Sequence, residues 1–120
     1  MRISFISGVF NILHPGHYRL FDYAKSISDK LIIGVTNDLE NLDQNTKLVT
    51  IQKRVFNLNK YKNIDKVIVV KDILSTLKKI KPDYIIKGIE FQNKSNVEDK
   101  YIKMYGGKII FSSGMEFSTN

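Results

Sequence analysis

The chain has 120 residues, 42% hydrophobic and 26% charged, which is typical of one globular domain over residues 1–120 and argues against a disordered segment. The absence of cysteine excludes disulfides, thiolate metal sites and thiol catalysis. The net charge of +7 would attract nucleotides, phosphorylated metabolites or nucleic acid. Because the lysines are spread along the chain, we do not expect a nucleic-acid partner.

The first predicted elements are a strand, a helix and a second strand. Residues 2–7 alternate as a strand does, and Met1 leads into them with no signal sequence. Apolar residues near helical spacing predict a helix from Pro15 to about Ile27, and the apolar run from Lys30 to Thr36 predicts a strand covered on both faces. Since no apolar run approaches the length of a membrane span, we expect no membrane partner and a cytoplasmic location.

The remaining elements continue this alternation. A polar, mostly aperiodic stretch from Asn37 to Val49 predicts a loop. Thr50 is expected to cap a helix to about Tyr61 that buries Ile51, Val55, Phe56 and Leu58. The next predicted elements are a strand at 66–70 and a helix that is capped by Asp72 and stopped by Pro82. A strand at 84–86 follows. The last predicted elements are a helix that begins with a capping box at 95–98 and ends at Gly106-Gly107, and a strand at 108–111.

Strict alternation of strands and helices predicts an α/β fold. We expect a Rossmann-like, doubly wound, five-stranded parallel sheet with helices on both faces and right-handed crossovers. In such sheets ligands bind at the carboxyl ends of the strands, where the strand order reverses. The segment after the first strand is therefore expected to lie at the ligand site.

That segment holds the only two histidines of the chain, His14 and His17, in the sequence Gly8-Val9-Phe10-Asn11-Ile12-Leu13-His14-Pro15-Gly16-His17. Pro15 is suited to the first position of a helix, so both imidazoles are expected at the positive end of a helix dipole, beside amides that bind anions. Alternatively, a histidine at a helix start is only a polar cap and Pro-Gly only a turn. The combination of strand, glycine, aromatic residue, histidines and helix favours a phosphate site.

These residues resemble the signature Gly-x-Phe-Asp-x-x-His-x-Gly-His of the nucleotidyltransferases with the cytidylyltransferase-like fold. The resemblance covers nearly the whole chain and implies a HUP-type fold. It continues through 34–38, Arg54, 65–67, 81–83, 87–90, 106–107 and 118–119. The chain looks most like the heptose-phosphate adenylyltransferase domain, and glycerol-3-phosphate cytidylyltransferase is a more distant match.

The resemblance implies an enzyme that transfers a nucleoside monophosphate from ATP or CTP to a sugar or polyol phosphate and releases pyrophosphate. The acceptor phosphate attacks the α-phosphorus in line, without a covalent enzyme intermediate. Mg²⁺ is implied as the cofactor carried with the nucleoside triphosphate, and no metal ligand is expected in the protein. Dimers or higher oligomers are common in the family, so a homodimer is expected, and a fused or associated sugar kinase is an implied partner.

The resemblance also implies roles for individual residues. The residues implied in catalysis contact the phosphates: His14, His17, Lys47 and Arg54. Those implied in nucleotide or substrate binding are Gly8, Val9, Phe10, Asn11, Gly16, Lys87, Gly88, Glu90, Ser118 and Thr119. Alternatively, Arg54 is a solvent-facing helix residue and Lys87 an ordinary strand-end lysine.

Three departures from the family pattern support another interpretation. Asn11 stands where the family usually has aspartate, and Lys47 is alone where the family has two or more basic residues. The helix that normally follows the Ser-Thr pair is absent from this sequence, so we expect a shortened domain or one cut from a larger chain. The alternative function is a catalytically impaired nucleotide-binding module of a larger sugar-activating protein. Within the enzyme class, pantetheine-phosphate and nicotinamide-mononucleotide adenylyltransferases are the nearest alternatives.

Overall fold

The computed structural model describes residues 1–37, 47–88 and 97–112. Strands and helices alternate along the chain in the order β1 (Ile3–Gly8), α1 (Pro15–Ser26), β2 (Lys30–Val35), α2 (Ile51–Asn59), β3 (Lys66–Val69), α3 (Ile73–Ile80), β4 (Tyr84–Gly88), α4 (Val97–Met104) and β5 (Lys108–Ser112). All predicted elements are present, with ends shifted by one or two residues. Residues 38–46 of the predicted loop and Ser95 of the predicted capping box lie outside the described residues.

The five strands form one parallel sheet in the order β3-β2-β1-β4-β5. The chain moves outward from β1 to β3 and then crosses back to β4, so the strand order reverses between β1 and β4. One cluster of buried side chains lies under α1 and α2 and a second under α3 and α4. The doubly wound fold expected from the sequence is confirmed.

Strand β2 is buried along nearly its whole length, as its continuous apolar run predicts. All residues from Leu31 to Val35 are buried. Gly34 is required here because a Cβ at this position would lie 2.6 Å from Val70 Cγ2 and 2.7 Å from Phe5 Cζ. The side chains of Phe5 and Val70 therefore occupy the space that a side chain at residue 34 would need.

Short polar side chains start the next two helices. Thr50 Oγ1 accepts a hydrogen bond from the Lys53 amide at the start of α2. Asp72 Oδ2 accepts one from the Ser75 amide at the start of α3. Both caps satisfy amides that have no partner within the helix, as predicted from the sequence. They place the first turns of α2 and α3 at the carboxyl edge of the sheet.

The predicted burial of Phe56 in α2 is wrong. Its side chain is 55% exposed and lies between the ammonium groups of Lys53 and Lys60, which are 5.2 and 4.6 Å from the ring centroid. Arg54 is buried instead, together with Leu58. At about 100° per residue, position 56 lies roughly 200° from position 54, on the opposite side of the helix.

An ion pair joins α1 to the start of β3. Lys25 Nζ lies 2.7 Å from Asp65 Oδ2, and the same carboxylate oxygen accepts a hydrogen bond from the Leu31 amide at 2.7 Å. Burial opposes ionisation of Asp65, but the Lys25 and Leu31 hydrogen bonds outweigh it and hold the pKa of the carboxyl below its usual value.

Within the described ranges, every helix is too short or too polar to cross a bilayer.

Candidate active site

A crevice opens between β1 and β4 at the carboxyl edge of the sheet. β1 pairs with β2 along six residue pairs, from Ile3 with Lys30 to Gly8 with Val35. It pairs with β4 at only two positions, Ser4 with Tyr84 and Phe5 with Ile85. The two strands are therefore unpaired toward their carboxyl ends, which is where a doubly wound sheet binds its ligand.

The chain leaves β1 through a tight turn at Phe10. This residue has φ = 51°, a left-handed conformation that is uncommon for a non-glycine residue. The turn sends the Phe10 ring back over Gly8, where a Cβ would lie 3.1 Å from Cζ of the ring. The ring is buried and contacts Phe21 of α1 edge-on. The aromatic residue of the motif thus anchors the turn in the core, and Gly8 leaves room for it.

Both motif histidines take part in capping α1. His14 is the N-cap residue, and its Nδ1 accepts a hydrogen bond from the Gly16 amide at 3.1 Å. His17 Nδ1 accepts one from the His14 amide at 3.2 Å. A backbone amide can only donate, so each Nδ1 acts as the acceptor and Nε2 is the ring nitrogen left to donate. Each ring therefore carries an Nε2–H donor beside the N-terminus of α1.

The environment of His17 keeps it neutral. Its half-buried ring lies 3.8 Å from that of His14, 5.5 Å from Phe10 and 6.3 Å from Phe21 between ring centroids. Burial, and secondly the repulsion from His14, lower the pKa of His17 to about 4. His17 can therefore donate a hydrogen bond to an anion at neutral pH without first binding a proton.

Gly16 makes room for the His14 imidazole. A Cβ on Gly16 would lie 2.9 Å from Cε1 and 3.1 Å from Nδ1 of that ring. Because the ring lies directly over the glycine backbone, the capping bond to the Gly16 amide can form. Gly16 is therefore needed because any larger residue would collide with the His14 ring that caps the helix.

Arg54 reaches the site from α2 and is only 1% exposed. It is therefore not the solvent-facing residue that the alternative interpretation expects. Its guanidinium donates to the carbonyls of Val49 at 2.9 Å, Val9 at 3.0 Å and Thr36 at 2.9 Å, and to Asn37 Oδ1 at 2.6 Å. Arg54 thus fastens together the ends of β1 and β2 and the start of α2. That it also contacts phosphates stays a prediction.

The structure places the backbone of Lys47 against Asn11, three residues before His14. The Asn11 carboxamide is hydrogen-bonded to the backbone of the segment at 47–49, and Lys47 itself is exposed. Lys87 and Gly88 form the carboxyl end of β4, on the other side of the crevice. Glu90, Ser118 and Thr119 lie outside the described residues, so their roles stay predictions.

A cavity of about 630 Å³ lies next to the motif loop, between α1 and α2. Asn11 is on its wall, and neither histidine lines it. The other lining residues mix apolar and polar groups: Ile12, Leu13, Tyr18, Val49, Asn57, Lys60 and Tyr61. Across residues 1–37, 47–88 and 97–112, no group of three or more His, Cys, Asp or Glu side chains is placed to hold a metal ion.

Sequence reasoning did not predict the structural bonds of Arg54 and Asn11. A helical signal for Arg54 exists, because residues 54 and 58 lie on the same helix face and Leu58 is apolar. No local signal exists for Asn11, whose partners are 36 and 38 residues away.

The cytidylyltransferase-like family profile matches residues 5–108. The curated relatives include the Bifunctional protein HldE of Caulobacter vibrioides, which is 29% identical over 117 residues, covering 93% of this chain and 24% of that protein. The Bifunctional protein HldE of Hyphomonas neptunium is 30% identical over 115 residues, covering 92% of this chain and 24% of that protein. The chain therefore spans about a quarter of the length of these relatives.

Solved structures share the fold. The lipopolysaccharide core biosynthesis protein from Thermoplasma volcanium has a TM-score of 0.72 at 24% identity, over 92% of this chain and 93% of that one. Pantothenate synthetase from Thermus thermophilus has a TM-score of 0.67 at 12% identity, over 93% of this chain and 55% of that one. Together with the family match over most of its length, the sheet and the histidine-capped helix identify this chain as a member of the cytidylyltransferase-like family of nucleotidyltransferases.

Proposed function

We propose that this chain transfers a nucleoside monophosphate from ATP or CTP to a sugar or polyol phosphate. The observation that carries the proposal is the pair of Nε2–H donors at the N-terminus of α1, beside the crevice between β1 and β4. Both Nδ1 atoms are held by backbone amides, so the rings are oriented before substrate arrives. A triphosphate is polyanionic, and donors fixed in advance at a helix N-terminus are suited to bind it.

In the proposed reaction an oxygen of the acceptor phosphate forms a bond to the α-phosphorus. The bond from that phosphorus to the oxygen bridging the α- and β-phosphates breaks, and pyrophosphate leaves with the electron pair. His14 and His17 donate hydrogen bonds to the phosphoryl oxygens, and the exposed Lys47 ammonium adds a positive charge beside the leaving group. The protein contributes positioning and charge stabilisation and needs no nucleophile of its own.

Mg²⁺ is proposed to enter as part of the nucleotide substrate. The described residues place no carboxylate cluster that could hold the ion alone. In such sites Mg²⁺ usually keeps several waters and is held by substrate phosphates together with only one or two carboxylates.

The residues that were predicted to bind nucleotide or substrate keep that role in the proposal. The backbone of 8–10 and the Lys87-Gly88 end of β4 flank the crevice, and Glu90, Ser118 and Thr119 keep their predicted roles toward nucleotide and acceptor. The cavity between α1 and α2 has room for a sugar or polyol phosphate, and Asn57 and Lys60 supply an amide and a cation there. We assign the organic part of the acceptor to this cavity.

The bifunctional relatives are about four times as long as the aligned region. We propose that this chain corresponds to one of their two functions, with a sugar kinase as the fused or associated partner, and that it forms a homodimer.

A second candidate is a nucleotide-binding module without turnover. The observation that favours it is that Lys47 is the only Lys or Arg between Thr36 and Val49. A single cation would bind the leaving pyrophosphate less strongly than several.

Pyrophosphate release distinguishes these candidates. ATP and CTP are each tested with Mg²⁺ against heptose, glycerol and other sugar or polyol phosphates. His14→Asn is the variant that tests the imidazole, because asparagine is a good N-cap and keeps α1 while removing the ring. We expect turnover that falls by about 10²–10³ in His14→Asn at unchanged helix content.

The other outcomes are also informative. Nucleotide binding by calorimetry without turnover on any acceptor would favour the second candidate. Turnover that survives in both His14→Asn and His17→Gln would refute the role given to the histidines.

A further inference from the structure

The Asn11 side chain forms two hydrogen bonds with the backbone before α2, one accepted and one donated, as a neighbouring β-strand does. Its Oδ1 accepts a hydrogen bond from the Val49 amide at 2.7 Å, and its Nδ2 donates one to the Lys47 carbonyl at 3.1 Å. A carboxamide can accept and donate from one rigid plane, whereas an ionised carboxylate can only accept. Both hydrogen-bonding groups of Asn11 thus engage one short segment.

Arg54 holds the same segment from the other side. Its Nε donates to the Val49 carbonyl, so the amide and the carbonyl of Val49 are both fixed by side chains. Through Nη1, Arg54 is also bonded to the carbonyl of Val9, two residues before Asn11. We call Asn11, Val49 and Arg54 the Asn11–Arg54 clamp. It joins the motif loop to the segment that carries Lys47.

We propose that Asn11 is a positioning residue that holds Lys47 against the phosphate site. The proposal rests on the proposed function, in which Lys47 acts on the triphosphate. Asn11 lies three residues before His14, so a bond from Asn11 to the Lys47 carbonyl ties that lysine to the helix cap. An aspartate at position 11 would keep the bond from the Val49 amide but turn a negatively charged oxygen toward the Lys47 carbonyl. Asparagine, unlike aspartate, therefore makes both the bond from the Val49 amide and the bond to the Lys47 carbonyl.

The clamp can be tested without any activity. Amide hydrogen exchange at Val49 is measured in the wild-type chain, Asn11→Asp and Asn11→Ala. We expect protection in the wild type and in Asn11→Asp, which keeps the acceptor, and exchange at least about tenfold faster in Asn11→Ala. Equal exchange rates at Val49 in the wild type and Asn11→Ala, with both folded, would overturn the clamp whatever the protein catalyses.

The positioning role is tested by a double-mutant cycle with Lys47. Dissociation constants of the Mg²⁺ complexes of ATP and CTP are measured by calorimetry for Asn11→Asp, Lys47→Ala and the double variant. We expect Asn11→Asp to weaken binding of the preferred nucleotide about tenfold in the wild-type background and less than twofold in the Lys47→Ala background. Asn59→Asp is the charge-matched control, because Asn59 is exposed on α2, and should change binding little.

Additive losses in this cycle would overturn the positioning role, because Asn11 would then act independently of Lys47. Binding with the expected coupling but without turnover would support the positioning role and reject the proposed reaction. A wild-type chain that binds neither nucleotide would reject both, while exchange at Val49 would still decide whether the clamp exists.

Discussion

The half-buried position of His17 predicts that the fold loses stability between about pH 6.5 and 4. In the unfolded chain the imidazole has its ordinary pKa of 6.5, and in the folded chain the pKa is lowered to about 4 by burial and by His14. Between these values the unfolded state binds a proton that the folded state does not. The free energy of unfolding therefore has its full value above pH 6.5 and falls as the pH drops toward 4.

The size of this fall follows from the two pKa values. Each pKa unit corresponds to about 1.4 kcal/mol, so the difference from 6.5 to about 4 sets an upper limit of roughly 3 kcal/mol, because solvent screens part of the half-buried ring. At pH 5 up to roughly 2 kcal/mol of this has been lost. Since typical domains are stable by only about 5–15 kcal/mol, such a loss is easily measured.

Urea unfolding followed by far-UV circular dichroism at pH 7.5, 6 and 5 measures the fall. His17→Gln is the matched variant, because glutamine at this helix position can still reach the His14 amide but does not titrate. We expect the variant to lose up to about 2 kcal/mol less than the wild type between pH 7.5 and 5. The chemical shifts of the imidazole protons, followed by NMR as the pH is changed, give the pKa of His17 directly. Because the chain has two histidines, the signal that is missing in His17→Gln is that of His17.

Equal pH slopes for the wild type and His17→Gln would refute this reasoning, because the slope could then not come from His17. A resonance of His17 that titrates near 6.5 would refute it as well, since the ring would not be desolvated.

Three further predictions concern positions whose surroundings are equally well defined. Gly16→Ala should displace the His14 ring, because the new Cβ would lie 2.9 Å from its Cε1, and should reduce turnover at least tenfold; unchanged kcat would contradict the role proposed for His14. Gly34→Ala should lower the free energy of unfolding by about 1–3 kcal/mol, since its Cβ would lie 2.6 Å from Val70, and unaltered urea unfolding would show that the sheet can adjust. Asp65→Asn should cost about 1 kcal/mol at pH 7, because the ion pair with α1 is lost. As the pKa of Asp65 is lowered in the folded chain, this cost should fade below about pH 3.8, and a cost that is constant with pH would contradict it.

The fold could be predicted because the signals for each strand and helix lie within the residues of that element and its immediate neighbours. Alternation of apolar runs and caps marks each element, and the parallel sheet follows from their order. The error at Phe56 arises because an aromatic side chain was expected to be buried without regard to its helix face. Two lysines cover that ring instead, at 5.2 and 4.6 Å, and their positive charges make its exposure tolerable.

The site could be predicted only in part, for a physical reason. The start of α1 depends on neighbouring residues, so Pro15 was sufficient to predict it, whereas capping by the histidines was considered only as the alternative to a phosphate site. Apart from the bond between Arg54 and Val49, the bonds of Asn11 and Arg54 join residues that are 17 to 45 positions apart. They depend on how β1, β2 and α2 meet at one sheet edge, which residue types alone do not specify.

The histidine cap of α1 places stability and chemistry in competition. Histidine is not among the strongest capping residues, and asparagine, serine or aspartate at position 14 would start the helix at least as well. Random variation selected only for thermal stability should therefore drift away from His14, and the resulting proteins would fold at least as well while losing the imidazole to which we assign phosphate binding. Engineering this protein for heat resistance consequently has to hold residues 14 and 17 fixed and seek its gains elsewhere.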